Sequence, residues 1–328
     1  MILRASVVIT THNEAAAIRA TLLALAQDRA IRDGWAEVVL VDDRSTDETV
    51  AEVMAAGLPR LRLLHAAPNP ASRLTTRQQA LDLGFRAAAA PVILTLDADS
   101  ALPPDWIATM IAPIEAGDVQ ANAGPIGFAP LTPIARWQSC DTAYYFLVSS
   151  RMAQVGWGGG VFFGNFAFSA RLYTDLGGFE SIGFALTEDL AFAQAIQSAG
   201  QRLGFASDTA RVDVRPCPTL RTLVDRTLRV TSGPPSALAL VLTIWPLALL
   251  ALALASLAGA GSTVAGLLVL RYLGGVMMTL YALGRPRALQ LMWAAFLYEP
   301  AVFALAAAAL LRRMTRGAVV WGGKTYGK

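Results

Sequence analysis

The sequence has little charge and almost no cysteine. Only 16% of its 328 residues are charged, whereas 55% are hydrophobic. That balance is too apolar for an ordinary soluble protein. Cys140 and Cys217 lie far apart and lack the spacing of a metal site. We therefore expect two unpaired thiols in a reducing compartment rather than a disulfide framework.

The start of the chain lacks the pattern of a cleaved secretion signal. Met1 to Ser6 lead straight into a strand-like run, without successive charged, apolar and small-residue regions. We therefore expect the first domain to stay in the cytosol. Basic residues interleaved with aromatic ones are also missing over most of the chain, which disfavours nucleic-acid binding.

Charge is scarcest in the C-terminal part. From Pro234 to Leu311 the charged residues are Arg271, Arg285, Arg287 and Glu299. Three apolar segments there, 237–258, 264–283 and 289–311, have the roughly 20 residues that a bilayer core requires. Arg271 and the Glu299-Pro300 pair interrupt the second and third. Basic residues follow both segments and should lie on the cytosolic side, but three full spans would place the last of them outside. We therefore expect one segment, the third, to be re-entrant or interfacial.

These features predict three regions and a location. Residues 1–231 form a cytosolic domain, 232–313 a membrane region with two to three hydrophobic segments, and 314–328 a basic tail. The first boundary falls near Ser232-Gly233-Pro234-Pro235. Several arginines precede it, which suits the anionic cytoplasmic face of a bilayer, here a bacterial inner membrane. They are Arg211, Arg215, Arg221, Arg226 and Arg229.

Strand-like and helix-like patterns alternate in the first domain. Buried strands are predicted over 6–10, 37–41, 61–65 and 92–96, with helices over 13–25, after Asp47, and over 75–89. This order predicts an α/β fold with a mostly parallel sheet flanked by helices. Ligands bind such sheets at the carboxyl ends of the strands. Polar or acidic clusters lie at three of those ends, in 10–14, 42–43 and 97–99.

Three acidic clusters could carry chemistry. Asp97 and Asp99 end a buried strand and could approach one divalent cation that also holds a diphosphate, although such pairs are also common in loops. Asp42 and Asp43 could accept hydrogen bonds from a base or a ribose, unless this segment, through Ser45 or Asp47, only caps a helix. The 187–189 segment supplies carboxylates for a general base.

Five ordered segments resemble the motifs of family-2 inverting glycosyltransferases, which have the nucleotide-diphospho-sugar transferase (GT-A-like, Rossmann-like) fold. They are 7–14 (VVITTHNE), 39–47 (VLVDDRSTD), 77–84 (RQQALDLG), 94–99 (LTLDAD) and 186–190 (LTEDL). The resemblance covers residues 7 to about 230.

The resemblance implies a donor site. Asp43, with Thr11 and Glu14 nearby, would bind the nucleoside. Arg77 would stand near the base or diphosphate, where the family often has lysine. Asp97 would contact the ribose and the metal.

The resemblance also implies the metal and the base. Asp99, together with Asp97, would coordinate Mg2+ or Mn2+. Asp189 would deprotonate the acceptor, and Glu188 would help to position it.

The acceptor side is marked less strongly. Arg226 and Arg229 match the Q/R-x-x-R-W motif of processive synthases and ceramide-type glucosyltransferases, but Val230 replaces its tryptophan. Arg229 would clamp the diphosphate, unless these arginines only flank the membrane. Gly164 and Asn165 lie in a stretch that the family places near donor sugar and acceptor. Residues 320–326 (VWGGKTY) are similar to the tail of bacterial hopanoid- and carotenoid-associated glycosyltransferases.

Together these features predict a membrane-bound enzyme. It would transfer one sugar, with inversion, from a nucleotide-diphosphate sugar, which we expect to be a uridine one, to a lipid acceptor in the membrane. A prenyl-phosphate transferase remains an alternative. A processive synthase is disfavoured by Val230 and by the small number of spans, and a nucleotide-sensing scaffold by the intact acidic motifs.

Overall fold

The computed structural model describes residues 2–67, 69–231, 237–259, 261–316, 319–321 and 324–326. It divides into two compact units, which we call the sheet unit (Met1–Gly127 with Gly160–Arg215) and the apolar-helix unit (Phe128–Gly159 with Pro216–Lys328). The division differs from the predicted boundary after residue 231, since two segments before it group with the apolar helices. Ser232 to Pro235 lie outside the described residues, so a functional boundary there stays a prediction.

The strands of the described residues are β1 (Ala5–Thr11), β2 (Ala36–Asp42), β3 (Leu61–His65), β4 (Val92–Asp97), β5 (Ala121–Ala123), β6 (Ile126–Phe128), β7 (Asn165–Ser169), β8 (Leu203–Phe205), β9 (Val212–Val214), β10 (Val319–Trp321) and β11 (Lys324–Tyr326).

Their helices are α1 (Ile18–Gln27), α2 (Arg29–Arg32), α3 (Thr49–Ala55), α4 (Thr76–Ala87), α5 (Trp106–Glu115), α6 (Pro133–Gln154), α7 (Ala170–Asp175), α8 (Gly178–Ile182), α9 (Glu188–Ser198), α10 (Leu220–Thr231), α11 (Ala237–Leu257), α12 (Ser262–Leu283), α13 (Arg285–Gln290) and α14 (Met292–Arg316).

The sheet unit contains a seven-stranded sheet in the order β3-β2-β1-β4-β7-β5-β8. Strands β1 to β4 are mutually parallel, and β7 runs antiparallel to β4 and β5. The predicted mostly parallel α/β fold is therefore confirmed. Every residue of β2 is buried, as expected for a strand that packs helices on both faces.

Two differences from the sequence expectation have a local cause. The first predicted helix begins at Ile18 rather than near Asn13, because Asn13 adopts a left-handed backbone, φ 57°. Strand β7 lies in a stretch where no strand was predicted. Its aromatic side chains are inside the fold, and Phe166 and Phe168 stack with ring centroids 5.7 Å apart.

Helix α4 approaches β1 and β2 closely through Gly84. A Cβ atom at this position would lie 2.5 Å from Val8 Cγ1 and 3.2 Å from Val41 Cγ2. The first distance is well inside van der Waals contact, so the helix and strands have room only for glycine. The glycine that ends the 77–84 motif therefore sets how closely α4 can approach the sheet.

We expect Gly84→Ala to lower the free energy of unfolding by about 1–3 kcal/mol, because the overpacking outweighs alanine's better helix propensity. Thermal or denaturant unfolding of the full chain in detergent measures this. Gly266→Ala is the control, because a Cβ there meets nothing within 4 Å. An unchanged stability of Gly84→Ala would contradict the close contact.

The apolar-helix unit contains α6 and α10 to α14. Among the described residues, α11 and α12 are long and apolar enough to cross a membrane, whereas the apolar part of α14, Met292–Ala308, is shorter. The third predicted segment is divided, because α13 ends at Gln290 and α14 begins at Met292.

The two charges that interrupt the predicted spans pair with each other. Arg271 Nη2 of α12 lies 3.1 Å from Glu299 Oε1 of α14, and the two side chains are 8% and 5% exposed. A Cβ atom at Gly275, one turn along α12, would collide with the Glu299 carboxylate. The glycine therefore leaves the space that the carboxylate needs.

We expect Arg271→Ala or Glu299→Ala alone to lower the free energy of unfolding by about 3–5 kcal/mol, since each leaves a buried charge unpaired. The double variant Arg271→Leu/Glu299→Leu should recover most of that loss. Thermal unfolding in detergent measures all three. Arg171→Ala is the control, because its pair with Asp175 is exposed and worth about 0–1 kcal/mol. Additive losses in the double variant would contradict a direct pair.

Candidate active site

Three polar strand ends meet at one edge of the sheet, as the sequence predicts. In the β1 and β2 pairing Thr11 lies opposite Asp42, and in the β1 and β4 pairing Thr10 lies opposite Asp97. The segments that follow these strands therefore begin side by side. We call this the carboxyl edge of the sheet.

The loops after β1 and β2 are tied together by hydrogen bonds. The Asn13 backbone N donates to Ser45 Oγ at 3.0 Å, and the Thr46 N donates back to Asn13 Oδ1 at 2.8 Å. The Glu14 N donates to Thr49 Oγ1 at 2.8 Å. Sequence reasoning did not single out Asn13, although asparagine tolerates the left-handed backbone that this joint needs.

Asp47 lies one residue before the N-cap of α3, Glu48, whose side chain makes no cap hydrogen bond. Asp47 Oδ1 accepts from the Thr49 N at 3.1 Å, and its Oδ2 accepts from the Ala15 N at 3.2 Å. The hydrogen bond from the Thr49 hydroxyl is the largest cause that lowers the pKa of Asp47. Ser45 instead serves the joint with Asn13.

Thr11 and Asp43 lie buried at the start of these loops. The Asp43 backbone N donates to the Thr11 carbonyl at 2.8 Å, and its carboxylate accepts from Arg44 Nε at 2.8 Å. The Thr11 hydroxyl has no hydrogen-bond partner within the described part of the chain. A buried hydroxyl in that state is costly unless a ligand or water satisfies it.

Arg77 joins two carboxylates from distant parts of the sequence. Its Nη2 donates to Asp97 Oδ1 at 3.1 Å, and its Nε lies 2.7 Å from Glu188 Oε1. Burial alone would lower the pKa of Arg77, but the charges of Glu188 and Asp97 outweigh it and raise that pKa. The guanidinium therefore stays charged and holds the 94–99 and 186–190 motifs beside each other.

Gln78 fixes the loop that leads into α9. It completes a capping box with Thr75 at the start of α4, with both hydrogen bonds at 3.1 Å. The same side chain accepts from the Ala185 N at 3.2 Å and donates to the Gly183 carbonyl at 2.8 Å. Sequence reasoning missed this role, although the Thr-x-x-Gln pattern signals the cap.

Glu14, Asp99 and Arg215 form a second charged group. Arg215 Nη2 donates to Glu14 Oε2, and Arg215 Nε lies 3.4 Å from Asp99 Oδ2. Burial, and then the charge of Asp97, raises the pKa of Asp99, whereas Arg215 acts in the opposite direction. Burial also raises the pKa of Glu14.

Two arginines of the predicted cluster have partners within the sheet unit. Arg215 binds carboxylates within the sheet unit, and Arg211 Nε donates to Asp213 Oδ1 at 2.8 Å. Those two arginines are therefore engaged with protein carboxylates, and a membrane-flanking role for the cluster stays a prediction.

Gly164 and Asn165 have positioning roles in the structure. A Cβ atom at Gly164 would collide with Asp97 Oδ2. The glycine therefore allows the backbone to pass close to that carboxylate. Asn165 is fully buried. Its Oδ1 accepts from Trp106 Nε1 at 2.9 Å, and its Nδ2 donates to the carbonyls of Pro125 at 2.9 Å and Ala210 at 2.8 Å. Asn165 is therefore held by interior partners, and its placement on the acceptor side stays a prediction.

Arg226 and Arg229 lie on α10 in the apolar-helix unit. Arg226 Nη1 is 3.9 Å from Asp141 Oδ2, and the Tyr298 hydroxyl donates to Asp141 Oδ1 at 3.1 Å. Arg229 is half-buried, and Val230 beside it is exposed. The diphosphate and acceptor roles of the two arginines stay predictions.

Family models of known proteins match most of the chain. The model described as glycosyl transferase family 2 matches residues 6–173, and that of glycosyl transferase family group 2 matches residues 92–311. The chain belongs to glycosyl transferase family 2. It is therefore a glycosyltransferase that uses a nucleotide-sugar donor, and the predicted family is confirmed.

A solved structure shows the same fold, and a second one is less similar. A mannosyltransferase from Pyrobaculum calidifontis, in complex with GDP-Man and Mn2+, is 22% identical, with a TM-score of 0.57 over 96% of this chain and 88% of that one. Glucosyl-3-phosphoglycerate synthase from Mycobacterium tuberculosis is 16% identical, with a TM-score of 0.46 over 71% and 82%. No curated protein matches the sequence.

The carboxyl edge of this family-2 transferase could hold a divalent cation if the nucleotide-sugar donor supplied the remaining ligands. Among the described residues, no group of three or more His, Cys, Asp or Glu side chains could hold a metal by itself. Asp97 and Asp99 nevertheless offer hard oxygen ligands, which Mg2+ and Mn2+ prefer. Burial, and after it the charge of Asp97, raises the pKa of Asp99, and a cation would offset both effects.

We expect Asn165→Leu to lower the free energy of unfolding of this transferase by about 3 kcal/mol or more. The Trp106 indole N–H and the carbonyls of Pro125 and Ala210 would each lose the hydrogen bond to Asn165. Trp106→Phe, which leaves two of the three hydrogen bonds, should cost less. Denaturant unfolding in detergent compares the two. Wild-type stability of Asn165→Leu together with a selective loss of acceptor binding would instead indicate that Asn165 contacts the acceptor.

Proposed function

We propose that the protein transfers one sugar, with inversion, from a nucleoside diphosphate sugar to a membrane lipid, with a divalent metal. The Arg77 bridge carries this proposal. Because Arg77 contacts both Asp97 and Glu188, the predicted donor motif and the predicted base motif share one site, as a displacement at the sugar carbon requires.

The donor end of the proposal uses the loops of the carboxyl edge. Thr11, Glu14 and Asp43 bind the nucleoside, and the open Thr11 hydroxyl supplies a hydrogen bond to it. Arg77 binds the diphosphate, and Arg229 is assigned the same role from its sequence motif alone. The uridine donor expected from the sequence is the first candidate, and guanosine is the second because a structural neighbour carries GDP-Man.

Asp97 and Asp99 would hold the cation, Mg2+ or Mn2+, and Asp97 also contacts the ribose. Bound there, the cation supplies charge stabilisation to the departing nucleoside diphosphate. A neighbour of the same fold contains Mn2+, which supports this assignment.

Asp189 is the proposed base. Glu188 is buried and paired with Arg77, whereas Asp189 is only half-buried. Asp189 also lies in the first turn of α9. Asp189 takes the proton of the acceptor hydroxyl while the acceptor oxygen bonds to the anomeric carbon. The bond to the diphosphate breaks on the opposite face, which inverts the configuration.

A lipid acceptor follows from the apolar-helix unit. Helices α11 and α12 could hold the protein in a bilayer, where a lipid acceptor stays within reach. Helix α10 carries arginines, Arg226 among them, and buries Leu223 and Leu228. A basic helix of this kind suits the surface of an anionic cytoplasmic leaflet. We therefore propose the cytoplasmic membrane of a bacterium, with the sheet unit in the cytosol.

The direct test incubates purified protein and Mn2+ with a panel of labelled uridine and guanosine diphosphate sugars and total membrane lipid, read by mass spectrometry. A singly glycosylated lipid is the expected product. A ladder of products would favour a processive synthase, and a mild-acid-labile product a prenyl phosphate. No transfer to any lipid would reject the lipid acceptor.

We expect Asp189→Asn to lower the transfer rate by about 10²–10⁴-fold, the usual contribution of a general base. Donor affinity, measured by calorimetry, should change little, since Asp189 acts on the acceptor. Asp175→Asn is the matched control, because Asp175 is exposed. Unchanged turnover in Asp189→Asn would remove the base assignment.

A further inference from the structure

Arg215 connects two carboxylates that come from different strand ends. It donates to Glu14, in the loop after β1, and its backbone N and Nε lie 3.3 and 3.4 Å from Asp99 Oδ2, after β4. Arg215 itself directly follows β9. No motif that matched the family assigns it a role.

Charge is unevenly distributed at this edge of the sheet unit. The carboxylates of Glu14, Asp97, Asp99, Glu188 and Asp189 stand near two arginines. Each arginine contacts one aspartate of the predicted metal pair, Arg77 contacting Asp97 and Arg215 contacting Asp99. A guanidinium and a divalent cation seek the same carboxylate oxygens, so a cation that binds Asp99 meets Arg215 as a competitor.

The two arginines differ in their freedom to move. Arg77 is 27% exposed and is held by Asp97 and Glu188, whereas Arg215 is 47% exposed. A half-exposed guanidinium can exchange partners at low cost, because water solvates it along the way. Its planar fork also matches a phosphate as well as it matches a carboxylate.

We propose that Arg215 competes with the divalent cation for Asp99 and turns to the donor diphosphate when the cation takes that aspartate. This inference rests on the proposed function, since it needs a donor bound at the carboxyl edge. Arg215 then opposes binding of the metal alone and favours binding of the metal with the nucleotide. The exchange couples the two binding events and disfavours a site filled by metal without donor.

The coupling predicts effects of opposite sign. In Arg215→Ala, Mn2+ alone should bind about tenfold more tightly, because the competitor is gone. With Mn2+ saturating, uridine or guanosine diphosphate should bind about tenfold more weakly, because a charge-assisted hydrogen bond is lost. If Arg215 had only a structural role, its loss would weaken both the Mn2+ affinity and the nucleotide affinity. A change of net charge alone would shift both affinities modestly.

Electron paramagnetic resonance of free Mn2+, followed by calorimetry with each nucleotide, measures these affinities on the full chain in detergent. Arg211→Ala is the matched control. It removes the same charge from the same unit, but Arg211 pairs with Asp213 and Asp208. Both affinities of Arg211→Ala should stay at wild-type values.

Equal or weaker Mn2+ binding in Arg215→Ala would overturn the competition, and unchanged nucleotide binding would overturn the transfer to the diphosphate. Asp99→Asn separates this inference from the proposed function. Loss of Mn2+ binding in Asp99→Asn upholds the metal site whatever Arg215 does. Wild-type Mn2+ binding in Asp99→Asn would instead reject the proposed metal site.

Discussion

The guanidinium of Arg77 is the charge on which the catalytic half of the molecule depends. A mostly buried cation requires carboxylate partners, and the two that it has belong to the strand end at Asp97 and the helix start at Glu188. Its own position follows from the capping box of α4. Satisfying one buried charge therefore brings together segments that are remote in sequence.

Other parts of the sheet unit support this arrangement. Gln78 holds the backbone before α9, and Gly164 allows the chain to pass directly behind Asp97. Gly84 lets α4 lie close enough to the strands for its first turn to reach the carboxyl edge. Each of these residues acts by geometry, and the reacting groups depend on all of them.

The carboxyl edge could be predicted from the sequence because strand ends are local signals. A β-branched run that stops at Asp42 or Asp97 marks both a strand and the side on which it ends. The family motifs added the order of these elements. The antiparallel strand β7 could not be foreseen in the same way, because its aromatic residues fit a buried strand, a buried helix or a loop equally well.

Side-chain partners were harder to predict than positions. From their neighbours in sequence, Asn165 was predicted to lie on the acceptor side and Arg215 to belong to a membrane-flanking cluster. In the fold Asn165 satisfies three groups in the interior, and Arg215 binds Glu14 and Asp99. Which donor meets which acceptor depends on the tertiary arrangement, and local pattern does not contain that information.

The pairing of Arg271 with Glu299 has a consequence for how the chain is made. Each side chain by itself is costly in lipid, and each becomes tolerable only beside the other. In a bilayer α12, which precedes α14 in the chain, would enter with an uncompensated arginine, at a cost of about 2.5–3.5 kcal/mol at the membrane centre. The carboxylate that α14 brings would remove that cost, so in the proposed membrane location the two segments would assemble as one unit.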